Sequence, residues 1–140
     1  MGRSRGGLTT KIHAATLDEN HSVVLQLTPG QASDCAQFDA LYAALPTENV
    51  LASAALDKGY DADRIRERLC LDGIEPVIPG RENRTVTIVY DQDLYAQRNL
   101  VERFFNKLKQ FRRIATRYEK YVHTFLAMIH IVAAFISIRN

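Results

Sequence analysis

The sequence predicts an α/β fold, a mixed sheet with flanking helices. Three observations carry that prediction. Apolar residues alternate near the N-terminus, at Val23, Leu25 and Leu27. A short apolar run, Val50-Leu51-Ala52-Ser53-Ala54-Ala55-Leu56, stops on Asp57. Helical periodicity fills the segments between and the whole C-terminal third.

The elements follow in order. Residues 9–17 and 22–28 read as two strands, because Asp18-Glu19-Asn20-His21 supplies turn chemistry between them. Pro29-Gly30 ends the hairpin. Ser33 is placed to cap a helix over about 34–45, and Pro46 stops it. Residues 49–56 read as a strand buried on both faces, although their alanines also suit a helix. Gly59 permits a sharp turn after Asp57. A helix over about 61–71 ends at Gly73, and Pro76-Val77-Ile78-Pro79 reads as a short strand. Residues 80–90 are polar and read as a loop or weak edge strand. Helices over about 91–113 and 118–138 close the chain. The predicted order is β-β-α-β-α-β-α-α.

At 140 residues the chain has the size of one domain, and its 46% hydrophobic content supports a real core. Cys35 and Cys70 lack metal-ligand spacing, which argues against zinc or a disulfide framework and suits a reducing cytoplasm. No apolar leader is visible at the N-terminus. The run Phe125–Ile136 is shorter than the roughly 20 residues of a membrane span and contains His130, so a core helix packed on the sheet is expected. The four histidines show no ligand spacing. Net charge is only +2, yet residues 98–120 hold eight Lys/Arg against two Glu. A basic helical segment on a slightly acidic body suggests one surface that meets a polyanion.

The helix over 91–113 carries the strongest local pattern. At about 100° per residue, with Glu102 at zero, Tyr95 lies near +20°, Arg98 near −40° and Lys109 near −20°, all approximate. An acid, two bases and a phenol share one stripe. Leu94, Val101, Phe104, Phe105, Leu108 and Phe111 centre about 110° away and form the buried face. The ordinary reading of Glu102 is an ion-pair partner of Arg98 or Lys109. The ordinary reading of Asp57, before Lys58-Gly59, is a turn or capping residue.

Tyr95, Arg98, Glu102 and Lys109 also resemble a signature, Y-(2)-R-(3)-E-(6)-K, of DDE transposases from bacterial insertion sequences of the insertion-sequence-four and -five group. Other segments agree in order. Gly2-Arg3-Ser4-Arg5-Gly6-Gly7-Leu8-Thr9-Thr10-Lys11-Ile12-His13 looks like the block before that family's second strand, and Leu27–Ala32 with Asp34 like the following turn. Asp57-Lys58-Gly59-Tyr60-Asp61 looks like the block of the second catalytic aspartate. The resemblance spans essentially the whole chain. It implies a ribonuclease-H-like fold over residues 8–140, with 1–7 a flexible basic N-terminus.

The resemblance further implies metal-dependent DNA cleavage and strand transfer, in which two Mg²⁺ (or Mn²⁺) ions about 3.5–4 Å apart are held by carboxylates. Asp57 and Glu102 match two of the metal-binding catalytic residues. Independently, ligands of open α/β sheets sit at the carboxyl ends of strands, which favours Asp57. Lys58, Tyr95, Arg98, Arg103, Lys107, Lys109, Arg112, Arg113 and Arg117 are candidate DNA contacts, the cations through phosphates and Tyr95 by hydrogen bonding or stacking.

The family's first strand, which bears the first catalytic aspartate, has no counterpart here: the fold is expected to be truncated at that strand. Asp18 and Glu19 lie in a hairpin turn and do not replace that residue. The chain is therefore expected to lack a complete site by itself, as the second-frame product of a split transposase or as a remnant. The metal is expected only with a complete triad. DNA, an upstream transposase half and further copies of the chain are the expected partners, in the bacterial cytoplasm near the nucleoid and away from membrane. A non-enzymatic DNA-binding or regulatory role is the alternative. The exposed strand edge predicts marginal stability or self-association.

Overall fold

Alternation near the N-terminus produces the expected hairpin. A computed structural model describes residues 2–4, 7–48, 51–115 and 121–139. In it β2 (Gly7–Thr16) and β3 (Ser22–Pro29) pair antiparallel, with Ile12 opposite Leu27 and Ala14 opposite Leu25. The Asp18 carboxylate accepts from the amides of Asn20 (2.7 Å) and His21 (2.9 Å), which closes the turn. Residues 2–4, read from the sequence as part of a flexible terminus, instead form β1 (Gly2–Ser4), antiparallel to residues 7–9 of β2.

The period of two sorts the hairpin's side chains between two layers. Ile12, Ala14, Leu25 and Leu27 face a core of C-terminal helices. Lys11, His13 and Gln26 point the other way, where they bond to Asp34, Tyr60 and Gln37. Helix α1 (Asp34–Ala43) covers this second face. Ser33 stands at its N-cap position as expected but makes no side-chain cap bond.

The expected strand over 49–56 is shorter: β4 spans Ser53–Ala55, and residues 49 and 50 lie outside the described set. One 3-10 turn (Lys58–Tyr60) and α2 (Asp63–Leu71) follow, then β5 (Glu75–Val77), parallel to β4. Two bonds end α2, from the Gly73 amide to the Cys70 carbonyl (3.0 Å) and from the Ile74 amide to the Leu69 carbonyl (2.9 Å). Gly73 has φ +74°, where a Cβ is strained. Gly73→Ala should therefore lower stability by about 1 kcal/mol, read as a lower urea midpoint at unchanged slope.

The helix expected over 91–113 is broken into α3 (Gln92–Ala96), α4 (Asn99–Lys109) and α5 (Arg112–Ala115). Asp91 caps α3 by accepting from the amides of Asp93 (2.9 Å) and Leu94 (3.0 Å). The break at Gln97-Arg98 lets α4 turn its apolar side onto the sheet, with Phe104 and Leu108 fully buried. Helix α6 (Val122–Arg139) packs on β3 and α4 through Phe125, Ile129, Val132, Ala133 and Ile136. Residues 116–120, including Arg117, lie outside the described set. The expectation of a core helix holds for one face of α6. Its other face leaves Ile131 and Ile138 exposed (66% and 85%). By length and composition alone α6 is long and apolar enough to cross a membrane.

The strands do not join in one mixed sheet. Among the described residues, β1-β2-β3 form one antiparallel sheet and β4-β5 a separate parallel pair. Phe38, Ile65, Leu69, Ile74 and Ile78 form a second core around that pair. Between β2 and β4 lies a slot of about 510 Å³, bounded by Lys11–Leu17, Ser53–Asp57, α1 and the Leu100, Val101 and Phe105 side of α4. Among the described residues β1 pairs with residues 7–9 of β2, and Lys11–Thr16 of β2 line this slot.

Candidate functional site

Asp57 leaves β4 at its carboxyl end, on the rim of the slot. Its backbone carbonyl closes the next turn by accepting from the Tyr60 amide (2.8 Å), but its side chain caps nothing. The carboxylate, 48% exposed, is therefore not used up by local structure. Glu102 stands in the first turn of α4, 51% exposed.

Arg98 connects them. Its Nη2 donates to Glu102 Oε1, and its Nη1 lies 3.7 Å from Asp57 Oδ2. Its guanidinium also lies over the Tyr95 ring, 5.7 Å from the centroid, and Tyr95 meets Tyr90 edge-on at 5.5 Å. Tyr95, Arg98, Glu102 and Asp57 thus meet in space, although 45 residues separate the two acids (102 − 57). The ordinary pairing of Glu102 with Arg98 is present, and Asp57 shares that arginine. Lys109 is exposed at the last turn of α4, roughly 10 Å further along the helix.

The other candidate cations divide. Lys58 is exposed beside Asp57, at a shallow depression shared with Asp34, Gly59, Arg81, Glu82 and Asn83. Arg112 and Arg113 are exposed on α5. Arg103 and Lys107 lie on another face of α4. They hold the hairpin turn, Arg103 at 3.0 Å and Lys107 at 3.5 Å from Glu19, with Lys107 also donating to Asn20. Those contacts draw the Glu19 carboxyl below its usual range, first through the Arg103 hydrogen bond.

Long-range contacts bring further residues to the Asp57 turn, of which Arg81 is the one that no local pattern singled out. Asp34, at the start of α1, receives Lys11 at 3.0 Å. A Cβ on Gly59 would meet Asp34 Oδ2 at 2.5 Å, so glycine there permits the close approach of the Asp57 turn to α1. Arg81 donates to the carbonyls of Gly59 (2.9 Å) and Lys58 (3.3 Å) and so braces the same turn. His13 is buried against Thr28 (2.7 Å) and Tyr60 (3.3 Å). Burial lowers its pKa, so folding favours the neutral ring. A lowered folded pKa means the unfolded chain binds the proton more tightly. Stability should fall as pH drops below about 6.5. Thermal melts of His13→Gln should be flatter than wild type across that window.

A family model described as the transposase DDE domain matches residues 2–136. The chain belongs to that family. A Brucella ovis protein, named for the transposase of insertion sequence element IS6501, is 36% identical over 135 residues, which cover 94% of this transposase-family chain and 100% of the relative. A Burkholderia cepacia protein, named for the transposase of insertion sequence element IS402, is 32% identical over 126 residues, covering 84% of this chain and 56% of the relative. No solved structure matches the chain.

The family implies divalent metal. Mg²⁺ is commonly held by one or two carboxylates together with substrate phosphates. Asp57 and Glu102 have that chemistry, are unburied and face one another across Arg98. Among the described residues no three His, Cys, Asp or Glu side chains come together as a metal site. The donor set fits part of a metal centre.

Proposed function

We propose that this chain is the C-terminal catalytic part of an insertion-sequence DDE transposase, with a ribonuclease-H-like fold over residues 8–140, acting on DNA in the bacterial cytoplasm. The supporting observation is the meeting of Asp57, at the end of β4, with Glu102 of the tyrosine-arginine-glutamate-lysine helix. When bound, divalent ions would activate the attacking oxygen and stabilise the leaving one. Asp57 and Glu102 would hold them. Lys58 and Lys109, with Arg112 and Arg113, would take backbone phosphates, and Tyr95 a neighbouring base or sugar.

Activity requires a third carboxylate, and the slot supports a place for it. In the joined protein, an extended upstream segment pairing with Lys11–Thr16 of β2 would fill the slot between β2 and β4. That strand would join the two sheets into one and reach the rim where Asp57 and Arg98 stand.

Nicking of supercoiled plasmid in Mg²⁺ tests the reading. The chain alone is expected to nick nothing, and the chain joined to the upstream frame to nick DNA. Glu102-dependent nicking by the chain alone would overturn the incompleteness. Absence of nicking by the joined protein would favour the regulatory alternative, in which the basic surface binds DNA without chemistry. The exposed cations Lys109, Arg112 and Arg113 on α4 and α5 support that alternative.

A further inference from the structure

A cation of the chain itself pairs with both candidate carboxylates. Arg98 lies at the joint between α3 and α4, where its amide donates to the Tyr95 carbonyl (2.9 Å) and its side chain reaches both Asp57 and Glu102. Two carboxylates brought to one rim repel each other, and a planar guanidinium can engage both at once through separate nitrogens. We propose that Arg98 is a resident counter-cation that holds Asp57 and Glu102 at the rim in the metal-free protein and must leave them for a divalent ion to enter. This rests on the transposase reading of the two acids and adds a role that the reading does not contain.

Three features make the exchange workable. Arg98 is 24% exposed at the side chain, so solvent reaches it. Both acids are about half exposed, so the pairs are individually weak and an ion of charge two competes with them. The Tyr95 face gives the guanidinium somewhere to rest after it releases the carboxylates. A released arginine beside the rim is also a phosphate ligand. DNA arrival and ion entry are then two sides of one exchange: phosphate draws Arg98 away, and the vacated carboxylates take the metal.

The test uses the chain joined to its upstream portion, which supplies the third carboxylate, and Mn²⁺ as a paramagnetic probe in NMR, with Arg98→Gln and Arg98→Lys beside wild type. Arg98→Gln should show broadening of the Asp57 and Glu102 amides at about fivefold lower Mn²⁺ than wild type, the scale expected for removing two weak pairs. Arg98→Lys should fall between, because an ammonium cannot span both acids. In wild type, Mg²⁺ should shift the Arg98 Nε–H signal with the same midpoint as the two carboxyl carbons. That titration decides the matter without any variant, should Arg98→Gln fail to fold. Equal broadening in all three proteins, or an Arg98 signal that stays still while the carboxyl carbons move, overturns the counter-cation role and leaves the carboxylate reading standing. No broadening at either acid in any protein overturns both.

Discussion

Glu102→Gln, made in the transposase joined to its upstream portion, is expected to lower plasmid nicking at least about a hundredfold while leaving the fold intact. The two halves of this expectation have separate causes. Glu102 is about half exposed and its ion pair with Arg98 lies at the surface, so its contribution to folding is about 0.2–1 kcal/mol. A carboxylate that holds a catalytic metal contributes to transition-state charge stabilisation worth several kcal/mol, and about 2.7 kcal/mol is already a hundredfold. Asp57→Asn should behave alike, because its side chain caps no turn. Nicking rates set beside thermal melts separate the two effects. A Glu102→Gln protein that nicks at the wild-type rate would remove the glutamate from the mechanism.

Asp61→Ala should be the most destabilising single change near the site, by about 3 kcal/mol or more. Asp61 is buried, with its side chain 1% exposed. It accepts from Arg66 Nη2 (2.8 Å), Arg84 Nε (2.6 Å) and the Arg81 amide (2.8 Å). It therefore fastens the 80–84 loop, including the Arg81 that braces the Asp57 turn, onto α2. Removing the acid leaves two largely covered guanidiniums facing each other. Folded domains hold only about 5–15 kcal/mol in total, so such a loss is a large fraction. Burial alone would raise the Asp61 pKa, but the hydrogen bonds from Arg84, Arg66 and the Arg81 amide hold it well below the usual carboxylate range. A depressed folded pKa gives stability that is complete above the unfolded value near 4 and is lost as pH falls further. Wild type should thus lose stability below about pH 4 more steeply than Asp61→Ala. Denaturant midpoints measured down through that range check the sign. Parallel curves for the two proteins would refute it.

The hairpin, α1 and α2 were legible because their signals are local: alternation in Val23–Leu27, proline and glycine punctuation, and a run of apolar residues at helical spacing. The family blocks were legible for the same reason, since each is a contiguous string. In sequence the residues over 91–113 keep a helical period through Gln97-Arg98, which hides the break there. In the fold, α4 packs on β2 and α6 with Phe104 and Leu108 buried, and the chain turns at Gln97-Arg98 before it. The two cation sets on α4 were not separable in sequence either. Arg103 and Lys107 meet Glu19, more than eighty residues away, whereas Arg98 meets Glu102 one turn on.

The family, the hairpin and the order of most elements are written in the sequence alone. Tertiary structure alone decided that β2 and β4 stand apart across a slot, that Arg98 serves both acids, and that Asp61 is a buried anchor. Periodicity and turn chemistry act over a few residues and are written in the chain. Pairing across a gap, or a shared guanidinium, depends on which distant surfaces the buried cores bring together.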